Sequence, residues 1–570
     1  MIPFPTMRLR DVPHAVMKFS ALGAVIAPAV ALTGLIAFRV VPLNHDSGIL
    51  LDCGRELVQG AVPYVDYVET NPPLSHYLHA LPVLLAKWTG LGLADAFMWW
   101  TLGLVACSVL SMVVILRREP SLETRDDGRH ILVATWLCFS LTVLSTVDFG
   151  QREHLFMLGF MPWLCFRLRS GADPGGHWHP ALLAAGLSAL FALAKPHFVL
   201  LFIVVEAWLW LRTRRWSALL RLDLLAMSAV GLAYAGFLFV PHSMRESFFG
   251  RWMPFVAAHY SVYDEPWTAV WLNVKAVPPA LVAVSGLVMS RAAPQVTRIR
   301  FETLAVAILA ALSIYYAQGK GWGYHLIPAW GLAFLFAALQ ILALADRSAR
   351  PREAGAAPRE GARRIVLAAA GIGIMLASAA LTVVGQVNGR REWQRVRPTV
   401  ETIEANSQRD EPVAFVSTDV RDAYPALIYS GRPAGTRYLQ AFPIAMFYEG
   451  AHATPGHGFP YRRPGERSAE EDRFLSELGE DVRTRRPALV FVGRVQSQGC
   501  PPRFTVQEYL HQTGWFDRYM EDYELVSARG RLAVYVSRAR SGSGSALDPT
   551  AEQPAQRTAE SGRTGPPARE

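Results

Sequence analysis

Asp46 is the first residue in this sequence whose type and position point to chemistry. It lies just past an apolar run, in a stretch that reads Asn44-His45-Asp46-Ser47-Gly48, then Arg55-Glu56-Leu57, Gly60, Pro63-Tyr64, Asp66 and Asn71-Pro72-Pro73. A carboxylate just beyond a membrane-length helix is costly unless it works in a wet cavity, so Asp46 is the candidate catalytic base. Asp66, in the same stretch, either binds an acceptor or a metal or hydrogen-bonds its own turn. Three more polar groups stand at the ends of apolar runs. Asp148-Phe149-Gly150-Gln151-Arg152-Glu153-His154 reads either as site residues or as an ion-pair staple between helices. In Lys195-Pro196-His197, Lys195 either binds an anion or snorkels to the interface. Lys320, Tyr324 and His325 lie among glycines between Gln318 and His325; the rival reading there is an interfacial aromatic belt.

Whether these groups meet depends on the elements that carry them. The chain has 570 residues, 51% hydrophobic and 18% charged, where a soluble protein carries about a quarter charged. Apolar runs of roughly 17 to 24 residues recur from Phe19 to Gly385, long enough to cross about 30 Å of hydrocarbon. The basic residues behind the net charge of +9 fall between these runs rather than on one face. They read as cytoplasmic loops and exclude nucleic-acid binding. With Lys18 inside, the spans are 19–41, 93–116, 131–148, 154–166, 181–194, 198–211, 222–240, 270–289, 304–317, 326–345 and 365–385. That makes about 11 transmembrane helices with every arginine-rich loop cytoplasmic. Ala29-Val30-Ala31 resembles a signal cleavage site, but the apolar run continues past it and reads as an uncleaved first helix. Pro73–Trp88 is short and interrupted by Pro82. It reads as an interfacial helix, because a crossing there would turn the later basic loops outward. This topology brings Asp46, Asp66, Asp148, Arg152, Glu153, His154, Lys195, Lys320, Tyr324 and His325 to one outer face, as the lining of a single cavity.

Of the 5 cysteines, Cys107, Cys138 and Cys165 lie in apolar runs and read as small buried hydrophobes. Cys53 and Cys500 share the outer side, where a bridge between them is open. His45, His76 and His79 lack a compact ligand spacing and read as interfacial histidines rather than a zinc set, so no metal site is assigned. From Asn388 the composition turns polar. Residues 412–417, 488–492 and 532–536 read as strands and 469–478 and 506–511 as helices, which makes a small α/β domain. It has no glycine-rich phosphate loop. The Ser/Gly/Pro/Glu-rich tail reads as disordered. The chain thus divides into a cytoplasmic N-terminus (1–18), a transmembrane domain (19–387) with a catalytic first outer loop (43–92), a soluble extracytoplasmic α/β domain (388–538) and a tail (539–570). The fold class is a polytopic α-helical membrane protein of the cell inner membrane with a small C-terminal α/β extracytoplasmic domain.

The first outer stretch resembles the GT-C superfamily of membrane glycosyltransferases, in particular the branch of the protein O-mannosyltransferases and aminoarabinose transferases. The matching residues are Asp46, Arg55-Glu56-Leu57, Gly60, Pro63-Tyr64 and Pro72-Pro73-Leu74, and the resemblance covers Phe19 to Ala345. It departs where the family has a second acid after the catalytic aspartate, here Ser47, and where some members have a lysine before the prolines, here Asn71. The resemblance implies a polyprenyl-phosphate-linked sugar donor, used at the outer face of the lipid bilayer on a cell-envelope glycan, lipid or protein acceptor. Asp46 would take the proton of the acceptor hydroxyl. Arg152, Lys195, Lys320 and His325 would stabilise the departing phosphate, with arginine suited to a two-pronged contact. Direct displacement implies inversion at the sugar carbon. No cofactor is required, and a divalent cation is compatible with the chemistry. The alternatives are a lipid-linked glycan transporter or flippase, and a non-catalytic envelope glycan-assembly protein. A transporter needs charges along a path through both leaflets, and mid-span charges are few; Ser47 keeps the non-catalytic reading open.

Overall fold

The computed structural model describes residues 42–117, 137, 140–142, 145–169, 178–214, 216, 221–349, 384, 387–452, 459–497, 499–528 and 530–541. The expected N-terminus 1–18, the first span 19–41, most of the span 131–148, nearly all of the last span 365–385, Cys138 and the tail from 542 lie outside them.

The outer stretch 43–92 holds two helices: α1 (His45–Val58), where a loop was expected, and α2 (Pro73–Thr89), where an interfacial helix was. Asn44 starts α1: its backbone is extended and its side chain accepts the Asp46 amide at 2.8 Å, as a good N-cap does. Pro72-Pro73 opens α2, where a missing N–H costs nothing, and Gly90 closes it in the left-handed conformation at φ 75°. The two helices touch at Gly54, where a Cβ would stand 2.5 Å from the His79 carbonyl oxygen. Any larger residue would push them apart. At 17 residues α2 is short for a crossing. It exposes Leu81, Leu84 and Trp88 on one side, in keeping with an interfacial helix. Its histidines are not interfacial, though. His76 and His79 are 0% and 1% exposed, because they face α1 and the following helix rather than the rim.

The helical bundle continues, among the described residues, with α3 (Leu93–Arg117), α4 (Arg152–Arg169), α5 (Trp178–Leu193), α6 (Val199–Thr213), α7 (Leu222–Phe239), α8 (Val277–Arg291), α9 (Gln295–Gln318) and α10 (Ile327–Ala349). Six segments among the described residues are long and apolar enough to cross a membrane. The protein is a multi-pass membrane protein. α4 lies at the centre, where Phe156 stacks on Phe198 and Phe156, Phe160 and Trp163 meet Phe202 edge-on, at centroid distances of 4.3 to 6.0 Å. Cys165 is buried there, but Cys107 is exposed on α3, a position that lipid covers as readily as protein.

The C-terminal region is a four-stranded sheet in the order β1-β2-β4-β3, formed by β1 (Val413–Val416), β2 (Leu489–Gly493), β3 (Tyr523–Ser527) and β4 (Leu532–Ser537). β1 and β2 are parallel and the other pairs antiparallel. The parallel pair needs a crossover, which includes α11 (Ala469–Arg485), capped by Ser468 onto the Glu471 amide. α12 (Val506–Gln512) follows β2. Strands β1, β2 and β4 fall where the apolar runs place them. β3 was not expected: it is a half-exposed edge strand with a register shift at Leu525/Ser527, so it carries no alternating pattern. Cys53 and Cys500 are both free thiols; the Cys500 sulfur lies 3.4 Å from Thr418 Oγ1 instead. One core joins Leu50, Leu51 and Cys53 of α1 to Phe415 and Phe491 of the sheet. α1 is thus wedged between the helical bundle and the C-terminal region.

Candidate active site

Asn44 is the hub on which the site is built. Its side chain caps α1 ahead of Asp46 and donates to the Val147 carbonyl and to Asp148 Oδ1, both at 3.1 Å. Gln151 Nε2 donates to Asn44 Oδ1 at 2.8 Å and to Asp46 Oδ2 at 3.0 Å. Three hydrogen-bonding residues therefore hold the start of α1 against the start of α4, and they set Asp46 beside Arg152. Burial works against the Asp46 carboxylate. His45, Arg152, the Gln151 hydrogen bond and Lys195 outweigh it and hold its pKa below the usual aspartate range. Asp46 is therefore ionised at neutral pH.

The cations differ in how they are satisfied. Lys195, in the turn between α5 and α6, is ion-paired to the fully buried Glu153 and lies 3.0 Å from His325 Nε2 and over the Tyr324 ring. Glu153 keeps one carboxylate oxygen and His325 one ring nitrogen without a hydrogen bond. Arg152 is 6% exposed, and its Nε has no hydrogen-bond partner. Among the described residues its guanidinium makes no hydrogen bond or ion pair, although Glu153, Asp46, Tyr324 and Glu69 lie within electrostatic range. A buried charge without a hydrogen-bonded partner is expensive, and Asp46 and Arg152 each feel the other's charge.

Asp46, Asp148, Arg152, Glu153, Lys195, Tyr324 and His325 are thus brought together. Three expected members are not. Asp66 is exposed and accepts the Val62 amide of its own turn at 2.7 Å. His154 has both ring nitrogens engaged, by the Gly150 amide at 3.0 Å and the Leu141 carbonyl at 2.6 Å, and serves the turn before α4. Lys320 is ion-paired to Asp264 and donates to the Tyr260 carbonyl at 2.8 Å, so it pins the Tyr260–Tyr263 turn, and of the site residues His325 feels its charge.

Glu69, which the sequence did not single out, lies with Cys53 and His76, which it had singled out for other roles. Glu69 is 4% exposed, accepts from Thr70 and twice from Asn71, and lies 3.5 Å from His76 Nε2. Cys53, Glu69 and His76 present ligand atoms within 4.8 Å of one another, and His76 Nε2 has no hydrogen bond. Sulfur, carboxylate and imidazole suit a zinc-like divalent ion with an open fourth position. The trio depends on how α1 packs against α2, and its sequence spacing gives no signal.

No protein-family model matches the sequence, and a comparison with curated proteins finds no match. The fold does match solved structures. ArnT from Cupriavidus metallidurans bound to undecaprenyl phosphate is similar at TM-score 0.54 and 12% identity, over 91% of this chain and 98% of that one. Its apo state is similar at TM-score 0.51 and 14% identity, over 92% and 98%. ArnT is a GT-C superfamily membrane glycosyltransferase. The chain has the GT-C fold. The resemblance carried by the motifs around Asp46 therefore extends, as a fold, over almost the whole chain.

Proposed function

We propose that the protein is an integral-membrane glycosyltransferase that moves a sugar from a polyprenyl-phosphate-linked donor to an extracytoplasmic acceptor, a cell-envelope glycan, lipid or protein. The observation that carries this reading is the buried, unpartnered Arg152 guanidinium beside an ionised Asp46. A paired arginine would be structural; an unpaired one facing a carboxylate asks for an anion. The solved ArnT complex holds undecaprenyl phosphate, which makes a lipid phosphate the fitting anion here.

In this reading the acceptor hydroxyl loses its proton to Asp46 as its oxygen bonds to the anomeric carbon. The bond from that carbon to the phosphate oxygen breaks on the opposite face, and the lipid phosphate leaves with the electron pair. Arg152, with Lys195 and His325 behind it, stabilises the charge that develops on the phosphate. The configuration at the sugar carbon inverts. Donor binding also tunes the base: a phosphate on Arg152 offsets the cations that depress Asp46 and adds a negative charge nearby. Both changes raise its proton affinity when it is needed.

The reaction needs no cofactor. If a divalent cation is held, Cys53, Glu69 and His76 are where it would sit, and as a Lewis acid it would polarise a nearby phosphate or acceptor oxygen. In this reading the protein sits in the inner membrane with its C-terminal region outside, which is the orientation that keeps the arginine-rich loops cytoplasmic.

The test compares envelope glycans by mass spectrometry in a deletion strain carrying wild type or Asp46→Asn at matched membrane levels. A sugar restored by wild type and lost by about 100-fold or more in the variant supports the base assignment. Equal restoration by both removes it.

A further inference from the structure

α1 is held from a side that the chemistry does not use. Asp46 faces α4. Asp52, six residues on, lies about 9 Å along the helix and roughly 240° around it, facing the C-terminal region. It is a fully buried carboxylate. Arg55 Nη2, one turn further, is 2.5 Å from Asp52 Oδ1, and the Tyr424 hydroxyl donates to Asp52 Oδ2 at 2.6 Å. Arg55 also donates to the Arg432 carbonyl at 2.8 Å. Arg432 is itself fixed, donating to the Ser430 carbonyl at 2.5 Å, the Ser407 carbonyl at 2.6 Å and Ser407 Oγ at 3.1 Å.

The same short segment reaches α1 again on the other side of Asp46. The Leu43 amide donates to the Tyr429 hydroxyl at 2.8 Å, just ahead of the cap. Between the two ends, Gly48 lies so close to Tyr424 that an added Cβ would stand 3.2 Å from the tyrosine Cβ. Residues 424–432 therefore meet the chain at Leu43, just ahead of α1, and α1 itself at 48, 52 and 55, bracketing Asp46. Apolar packing alone would hold α1 in place but leave it free to slide or rotate slightly. A buried ion pair with a fixed hydroxyl and a fixed carbonyl specifies one register, the use for which such groups are best attested.

We propose that the C-terminal α/β region sets the position of the catalytic carboxylate, with Asp52, Arg55, Tyr424 and Tyr429 as positioning residues that touch no substrate. This rests on the reading of Asp46 as the base. Its consequence is that transfer can be weakened from the C-terminal region while the phosphate-binding cations, which stand on other elements than α1, keep their grip.

The full-length protein in lipid nanodiscs tests this, as wild type, Tyr424→Phe and Tyr429→Phe. Either variant removes one hydroxyl and keeps the ring. Hydrogen–deuterium exchange of the α1 amides is expected to rise about tenfold. In the deletion strain, glycan restored at matched limiting levels is expected to fall about tenfold, since small misplacements of a reacting group are costly. Undecaprenyl phosphate binding, followed by tryptophan fluorescence, is expected to stay within about twofold, because Arg152 and Lys195 are untouched. General destabilisation would lose binding and transfer together. Unchanged exchange in both variants overturns the clamp. Faster exchange with full glycan restoration overturns its role in positioning Asp46. The reading beneath it fails separately, through an active Asp46→Asn.

Discussion

Two arginines near opposite ends of α4 show how differently the same side chain can be used. Arg167 is 7% exposed and meets Glu206 of α6 with two hydrogen bonds, at 2.5 and 2.8 Å. Near it the Trp163 indole and Arg221 both donate to Asp223. Every charge in that group has a counter-charge, and the group ties helices together. Arg152 is equally buried and has no such partner among the described residues. The difference is what separates structure from function here. A satisfied buried pair is complete, whereas an unsatisfied cation leaves a binding free energy unused until an anion arrives.

Replacing each arginine by methionine should therefore give opposite results. Arg152→Met is expected to lower sugar transfer by about 100- to 1000-fold, the usual loss of a main oxyanion-stabilising donor. It should cost the ligand-free protein less stability than the loss of Arg167 does, because no hydrogen bond goes with it, although Glu153 and Asp46 lose a neighbouring cation. Arg167→Met should lose about 3–5 kcal/mol of stability, since Glu206 is left buried and alone, with transfer by the folded fraction nearly intact. Thermal unfolding in nanodiscs beside glycan mass spectrometry reads both. If Arg152→Met proves the unstable variant, the cation has a structural partner after all and the contrast collapses.

That contrast could not be read from the chain. Arg152 and Arg167 look alike in sequence, each beside an apolar run. What was legible was which polar run ends share a site: Asp46, Arg152, Glu153, Lys195 and His325 do meet. The apolar runs also marked α3 to α10 and three of the four strands. Local hydrogen bonding was not legible. Asp66 and His154 share the composition of working residues, and only the Val62 amide and the Leu141 carbonyl show them to be occupied. Nor was the Cys53–Glu69–His76 trio legible, because it depends on the close approach that Gly54 permits between α1 and α2.

A smaller effect tests the electrostatic side of the contrast. The pKa of Asp46 is depressed, so the carboxylate contributes stability above its unfolded value of 3.8, and that contribution is lost as pH falls through the lower folded value. His45 is the first of the charges that hold it down, at 3.6 Å. In His45→Gln burial is less opposed, and the acid limb of the transfer-against-pH profile should move upward by up to about one pH unit. Activity at pH 7 should stay within about threefold, because Arg152 still holds the carboxylate ionised. An acid limb that does not move would show that His45 is not felt by the base, and a collapse at pH 7 would show that it touches substrate.

The smallest effect belongs to the carboxylate that is already satisfied. Asp66 stands in the same stretch of sequence as Asp46, but it is exposed and caps its own turn through the Val62 amide. Its backbone carbonyl, not its carboxylate, meets Arg485 of the C-terminal region at 2.9 Å. Asp66→Asn keeps a side-chain oxygen for the turn, so stability should change by less than about 1 kcal/mol, and transfer should stay within about twofold of wild type. A loss approaching that of Arg152→Met would mean that a hydrogen-bonded, solvent-facing carboxylate is nonetheless recruited to bind substrate. Hydrogen-bond satisfaction would then no longer separate the working charges of this protein from its structural ones.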